Sequence, residues 1–370
     1  MARSTTAKTT RKPAARKTAG KTAGKAPARK AGKAPARNAG KAPAGADAGA
    51  ASRTASRQRA IQDVIDRKDA RKSGKGGGRK SPTQAGARRQ PERMPAQHID
   101  KPGRESELDL APRFEAPDYR GSGKLEGMKA IVTGADSGIG RAVAVLFARE
   151  GADVAIFYLD EHEDAKETAR WVEKEGREAM LVPGDVRDPA FCNRAVERVA
   201  KHFGRIDVLV NNAAFQLHAE RLEDISDAHL QETLQTNIAG YFHMARAALP
   251  HMQEGASIIN TGSETGIFGN PKLLDYSATK GAIHAFTMSL ASNLLGRGIR
   301  VNCVAPGPVW TPLNPADKPA EDVEAFGKDS DMGRPAQPEE VSPAYVFLAS
   351  PVMSSYVNGV VLPVMGGPRG

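Results

Sequence analysis

The chain has 370 residues, 40% of them hydrophobic and 26% charged, with a formal net charge of +10. Two cysteines, Cys192 and Cys303, rule out a disulfide framework and a cysteine-based metal site, and no apolar run approaches the ~18 residues of a membrane span. The charge is unevenly spread. Residues 1–90 carry 25 Lys and Arg against 4 Asp and Glu, a net of +21, while the remaining 280 residues net −11, the pattern of a charged tail on a separate domain.

In chain order, residues 24–45 read GKAPARKAGKAPARNAGKAPAG, an eight-residue phrase said nearly three times. The first 90 residues hold too few large apolar side chains to offset the entropy of ordering a backbone, so a disordered tail is expected. Residues 55–71 predict a few helical turns with Ile61, Val64 and Ile65 on one stripe. The Pro and Gly repeat cannot form the amphipathic helix of a transit peptide, and a cytoplasmic protein is expected. Residues 91–124, rich in Pro and mixed charge, read as an arm laid over the domain rather than part of its core.

From Met128 onward apolar runs alternate with helical segments. Strands are predicted at 129–134, 153–158, 179–185, 206–214, 256–263, 299–307 and 358–367. Helices are predicted at 139–152, 160–176, 187–204, through a long region ending at His251, at 276–296 and at 338–350. Strands that are apolar throughout and alternate with helices pair in parallel and are covered on both faces. The fold class is therefore α/β, a doubly wound parallel sheet in one domain, residues 125–370, preceded by the tail and the arm.

TGADSGIG, residues 133–140, falls where the first strand turns into a helix. Gly134 and Gly138 let backbone approach a pyrophosphate, and Gly140 lets helix pack on strand. Asp136, Ser137 and Ile139 complete a turn whose helix N-terminus offers free N–H groups to an anion. Further on stand NNAA (211–214), Asn237, Ser263 in NTGSETG, YSATK (276–280) and APG (305–307). Tyr276 and Lys280 are one helical turn apart on one face, where an ammonium favours a phenolate.

This series resembles the short-chain dehydrogenase/reductase family from about Leu125 to Gly367. Flanking phrases such as GSGKLEG, YLDEHEDA and APGPVWTPL are similar to a general-stress and glucose/ribitol-dehydrogenase-like subgroup. The resemblance implies a Rossmann fold and an enzyme that moves a hydride between a nicotinamide and a small alcohol or carbonyl compound. It implies Tyr276 as acid/base, Ser263 holding the substrate oxygen, Lys280 at the nicotinamide ribose, and Asn237 kinking its helix beside a water relay. It also implies Asp185 at the adenine amino group with Val186 beside the ring, and Asn212 and Ala213 at the adenosine ribose. Pro306, Gly307, Val309 and Thr311 fall at the carboxamide side.

The position where the family places a ribose-binding acid is Tyr158, and no basic residue occupies 135–137. Asp160 and Glu161 lie just beyond. The cofactor is NAD or NADP, and this charge pattern favours NAD. Phe215, Gln216, Phe268, Leu273 and Trp310 follow cofactor motifs and are the substrate-side candidates. His218, His243, His251 and His284 show no metal spacing, so no metal is expected. Apolar faces over 230–251 and 275–295 predict a homotetramer. The tail has no aromatic residues for stacking bases, so any nucleic acid or other polyanion it binds would be held non-specifically and with strong salt dependence. A nucleic-acid-binding protein with a secondary dehydrogenase domain is the alternative.

Overall fold

The computed structural model describes residues 83–86 and 89–368. The basic repeat and the helix expected over 55–71 lie outside the described residues. Seven strands form where the apolar runs predict them: β1 (Lys129–Thr133), β2 (Asp153–Tyr158), β3 (Ala179–Pro183), β4 (Val208–Asn211), β5 (Ser257–Thr261), β6 (Arg300–Pro306) and β7 (Val361–Val364). They make one sheet in the order β3-β2-β1-β4-β5-β6-β7, and every neighbouring pair is parallel. β2 and β6 are buried at every position. A strand covered on both faces has no solvent side, which is why these runs do not alternate with polar residues.

The covering layers are seven helices: α1 (Gly138–Arg149), α2 (His162–Lys174), α3 (Pro189–Phe203), α4 (Asp227–Leu234), α5 (Gly240–Ala248), α6 (Leu274–Leu294) and α7 (Pro338–Ala349). Leu146, Val172 and Tyr345 of α1, α2 and α7 fill the core on one face. Val196, Met244 and Leu294 of α3, α5 and α6 fill it on the other. Local chemistry sets the ends of α3. Asp188 caps it by accepting from Ala190 N–H at 2.8 Å, Pro189 opens its first turn, and Gly204, left-handed at φ +85°, closes it.

The long helical region ending at His251 is divided. A π-turn at Gln235–Ala239 joins α4 to α5, and a 3₁₀ turn follows at Leu249–His251. Phe242 on α5 and Met288 on α6 are exposed on the single chain. Short helices at Thr265–Phe268, Ala320–Glu324 and Pro351–Ser354 carry too few turns to show a periodicity in the sequence. The arm differs from a simple overlay because it brings buried side chains of its own. Met94 packs with Trp310 and Val323, Ile99 and Leu108 with Ala316, and Phe114 with Ala142 and Val145.

The strand order reverses between β1 and β4, and the crevice at such a switch point is where doubly wound sheets bind ligands. Its geometry depends on how closely α1 sits on the exit of β1. A Cβ built on Gly140 would lie 1.9 Å from the Gly134 carbonyl oxygen and 2.8 Å from Ala135 Cα, all of it backbone. On Gly281, within α6, the nearest atom would be an ordinary 3.6 Å away. Urea denaturation of two variants tests this contrast. Gly140→Ala is expected to lose about 3 kcal/mol of stability through forced separation of helix and strand, while Gly281→Ala gains up to about 1 kcal/mol from helix propensity.

Candidate active site

A cleft of about 820 Å³ opens at the switch point, lined from the carboxyl ends of β1, β2, β3, β4, β5 and β6. At its floor Gly134 adopts φ +61°, and a Cβ there would come within 3.0 Å of Ala213 Cα. Thr133 Oγ1 accepts from the N–H groups of Asn212 and Ala213, at 2.8 and 3.1 Å. Asn212 Nδ2 donates to the carbonyls of Thr133 and Gly134, both at 3.1 Å. The TGADSGIG turn and the NNAA segment are thus tied together. Gly138, at φ +51°, lies against Thr311, whose methyl would be 2.9 Å from an added Cβ.

The Ser137 side chain makes no capping bond to α1, so first-turn N–H groups face the cleft without a serine cap. Of these N–H groups that of Gly138 is taken by the Glu105 carboxylate at 2.6 Å, so a dinucleotide pyrophosphate here would be met by the remaining first-turn N–H groups and the close approach that the glycines allow. Gly134, Asp136, Ser137, Gly138, Ile139, Tyr158, Asp185, Val186, Asn212, Ala213, Pro306, Gly307, Val309 and Thr311 all line this cleft. Gly140 does not line it, serving instead as the close contact beneath.

The end near β2 is acidic. Asp136 and Glu161 are buried there, and burial together with the Glu161 charge pushes the Asp136 carboxyl up to about 7. Tyr158 holds a hydrogen bond with His162 Nδ1 at 3.0 Å. Asp185 is forked by Arg187, whose Nε lies 2.9 and 3.0 Å from the two carboxylate oxygens. Arg187 also reaches Glu232. The carboxylate therefore enters the cleft already neutralised, with lone pairs left for an amino group.

At the other end Ser263, Tyr276 and Lys280 meet. Ser263 Oγ accepts from Thr265 N–H and from Thr265 Oγ1, each at 3.1 Å. With Thr265 engaging its lone pairs, the serine's own proton is left for another acceptor, and Ser263 acts on Tyr276 in the sense that favours phenolate. Thr265 was not singled out by the sequence, although it stands two residues past Ser263 in the same motif. Lys280, buried on α6 one turn from Tyr276, donates to Thr261 O at 2.8 Å, with Nζ 5.3 Å from the Tyr276 ring centroid.

The ionisation of this group differs from the expectation that Lys280 lowers the Tyr276 pKa. In the chain alone, burial holds the phenol well above its ordinary value and brings Lys280 down to about 8. The physical reason is desolvation of both charged forms, with the ammonium turned to a carbonyl. Asn237 lies within the π-turn. Its amide closes a pair of bonds with Phe215, accepting from N–H at 2.8 Å and donating to O at 2.9 Å, and it donates to Thr279 Oγ1 at 3.1 Å. His284 stands behind Ser263, with Nε2 3.5 Å from its backbone nitrogen.

Phe215, Gln216, Phe268 and Leu273 line the cleft. Trp310 does not, which corrects its assignment to the substrate side. It is fully buried among Met94 and Val323, and its indole N–H donates to Leu110 O at 2.8 Å. Val309 and Thr311 face the cleft on either side of it, so the intervening side chain turns away into a pocket made by the arm. The arm also supplies cleft wall directly, through Pro102 and Gly103. Gly103 sits so close to Pro312 and Ala316 that a Cβ would fall 3.0 Å from each. Nothing in the spacing of the arm sequence announces that contact.

Comparison with known proteins agrees with this geometry. Residues 134–368 match the family model described as enoyl-(acyl carrier protein) reductase. The chain is 54% identical over 280 residues to an uncharacterized oxidoreductase of Bacillus subtilis, covering 75% of this chain and 96% of that one. It is 48% identical to an NADPH-dependent aldehyde reductase of Arabidopsis thaliana (72% of this chain, 95% of that one). It is 48% identical to a glucose and ribitol dehydrogenase of Daucus carota (74% and 96%). A short-chain dehydrogenase from Burkholderia cenocepacia solved with NADP superposes with a TM-score of 0.62 at 34% identity, over 67% of this chain and all of that one. The chain belongs to the short-chain dehydrogenase/reductase family. It is an NAD(P)-dependent oxidoreductase.

The Thr265 contacts generate a test. Thr265→Val keeps the shape but removes one of two donors that orient the Ser263 hydroxyl. Steady-state kinetics should show kcat down about tenfold, the worth of one such bond.

Proposed function

We propose that the enzyme interconverts a small alcohol and its carbonyl compound, a sugar, polyol, aldehyde or ketone, with Tyr276 exchanging the proton. The observation that carries this reading is the convergence of a pre-oriented Ser263 hydroxyl, the Tyr276 phenol and the Lys280 ammonium in one cleft. When bound, the nicotinamide cofactor supplies or accepts the hydride. Ser263 donates to the substrate oxygen and Tyr276 exchanges the proton at that atom. Lys280 carries a nearby positive charge below about pH 8, and Asn237 keeps the Phe215 wall joined to α6. The aldehyde-reductase and sugar-dehydrogenase names of the relatives support the substrate class.

For the cofactor, the buried Asp136 and Glu161 support NAD, because a 2′-phosphate entering beside them would meet like charge. The names of the Arabidopsis relative and of the NADP-bound structure favour NADP instead. The two readings separate by pH. Asp136 is ionised above about 7 and neutral below it. With the acidic pair at the ribose, KM for NADP relative to NAD should fall several-fold as pH drops from 8 to 6. A flat ratio, or NADP preferred at pH 8, would remove the pair from cofactor selection. For the chemistry itself, Tyr276→Phe should reduce kcat at least 10²-fold on any substrate the wild type accepts, while the circular dichroism spectrum is unchanged. Near-full turnover by that variant would overturn the assigned role.

A further inference from the structure

Glu264 follows Ser263 in the chain and lines the same cleft. Backbone contacts fix its position. Its N–H donates to Pro306 O at 2.9 Å, and a Cβ on Gly307 would come within 2.9 Å of Glu264 Oε2, so the carboxyl group lies between the carboxyl ends of β5 and β6. It is also close enough to Tyr276 for its charge to act on the phenol. Yet Oε2 is buried without a hydrogen-bond partner among the described residues, and burial pushes the carboxyl up to about 7.

A buried acceptor left unpaired is costly, so it marks a place where something outside the chain must donate. Oε2 has no open surface where it lies, but Glu264 as a whole is only half-buried and lines the cleft, so a small turn of the side chain toward a bound molecule brings that acceptor to a donor. Ser263 and Tyr276 already address the reacting oxygen, so a donor that meets Glu264 has to be a different group of the same molecule.

We infer that Glu264 accepts a hydrogen bond from a second hydroxyl of the substrate and thereby selects polyhydroxylated carbonyl compounds over simple ones. The inference rests on the alcohol–carbonyl reading of the cleft and narrows it. A site built around an acceptor discriminates strongly against an analogue that lacks the donor, because the acceptor is then left buried and unpaired. Above about pH 7 the carboxylate only accepts, and Oε2 has no donor among the described residues.

The test uses the full chain with glyceraldehyde and propanal as a matched pair of three-carbon aldehydes, the first with two hydroxyls and the second with none. Wild-type kcat/KM should favour glyceraldehyde. In Glu264→Leu the ratio of the two kcat/KM values should fall by about 100-fold, and Glu264→Gln, which keeps an acceptor oxygen, should restore part of it. The Kd for reduced cofactor, measured by fluorescence titration, should stay within twofold in both variants, which also shows that the cleft is folded. An equal loss on both aldehydes, or a wild type that does not favour glyceraldehyde, would overturn the inference and leave the proposed reaction standing. A raised cofactor Kd with an unchanged aldehyde ratio would overturn it too, placing Glu264 at the nicotinamide. A wild type that reduces neither these aldehydes nor any other carbonyl compound would sink the proposed reaction, and the inference with it.

Discussion

The guanidinium of Arg141 holds the cofactor end of the molecule together. Its Nε and Nη2 both donate to Asp136 O, at 2.9 and 2.6 Å, fixing the middle of the glycine turn. Nε also meets Thr168 Oγ1 and Nη2 meets Asp164 O, each at 3.0 Å, which joins the turn to α2. Nη1 reaches Glu105 of the arm, whose other carboxylate oxygen accepts from Gly138 N–H at 2.6 Å. A planar fork of five donors can satisfy partners in three elements at once, which an ammonium cannot. All of this is buried, so removal of either charge would strand the other at a cost of about 3–5 kcal/mol.

That arrangement explains why the glycine motif is only part of the cofactor cradle. The glycines permit the turn, and Gly140 brings α1 hard against β1. The shape of Ala135–Ser137, where no glycine acts, is set by Arg141. Glu105 belongs to the arm, so the segment before the first strand helps to shape the turn beneath the dinucleotide.

Much of this was legible in the sequence, for identifiable reasons. Buried parallel strands have a composition that reads directly, and all seven runs from KAIVTG to NGVVLPV became strands. The four-residue offset of Tyr276 and Lys280 places them on one helical face from spacing alone, whereas Ser263 was joined to them through the family resemblance. The failures share a cause. Trp310 was assigned to the cleft because it follows the APG motif, but the arm offered an indole-sized pocket and a carbonyl on the opposite side. Thr265, Glu264 and the acidic Asp136–Glu161 pair matter through distances across the cleft, and the Tyr276 ionisation depends on burial. Linear spacing records neither.

The wall that the arm contributes has a consequence for how the protein is made. Gln90 pairs with Gln337 across a separation of 247 residues, and Arg113 with Gln337 across 224. Contacts of such span form late, because loop closure must precede any gain from them. During synthesis the arm emerges from the ribosome long before residues 308–340 exist. Met94, Ile99 and Leu108 must wait for Trp310, Ala316 and Val323, their buried neighbours, to be translated. The Rossmann sheet can assemble strand by strand behind them, but the cleft is completed only after its two most distant contributors are joined. Closing the cleft is therefore a late step of folding, one that the sheet does not have to wait for.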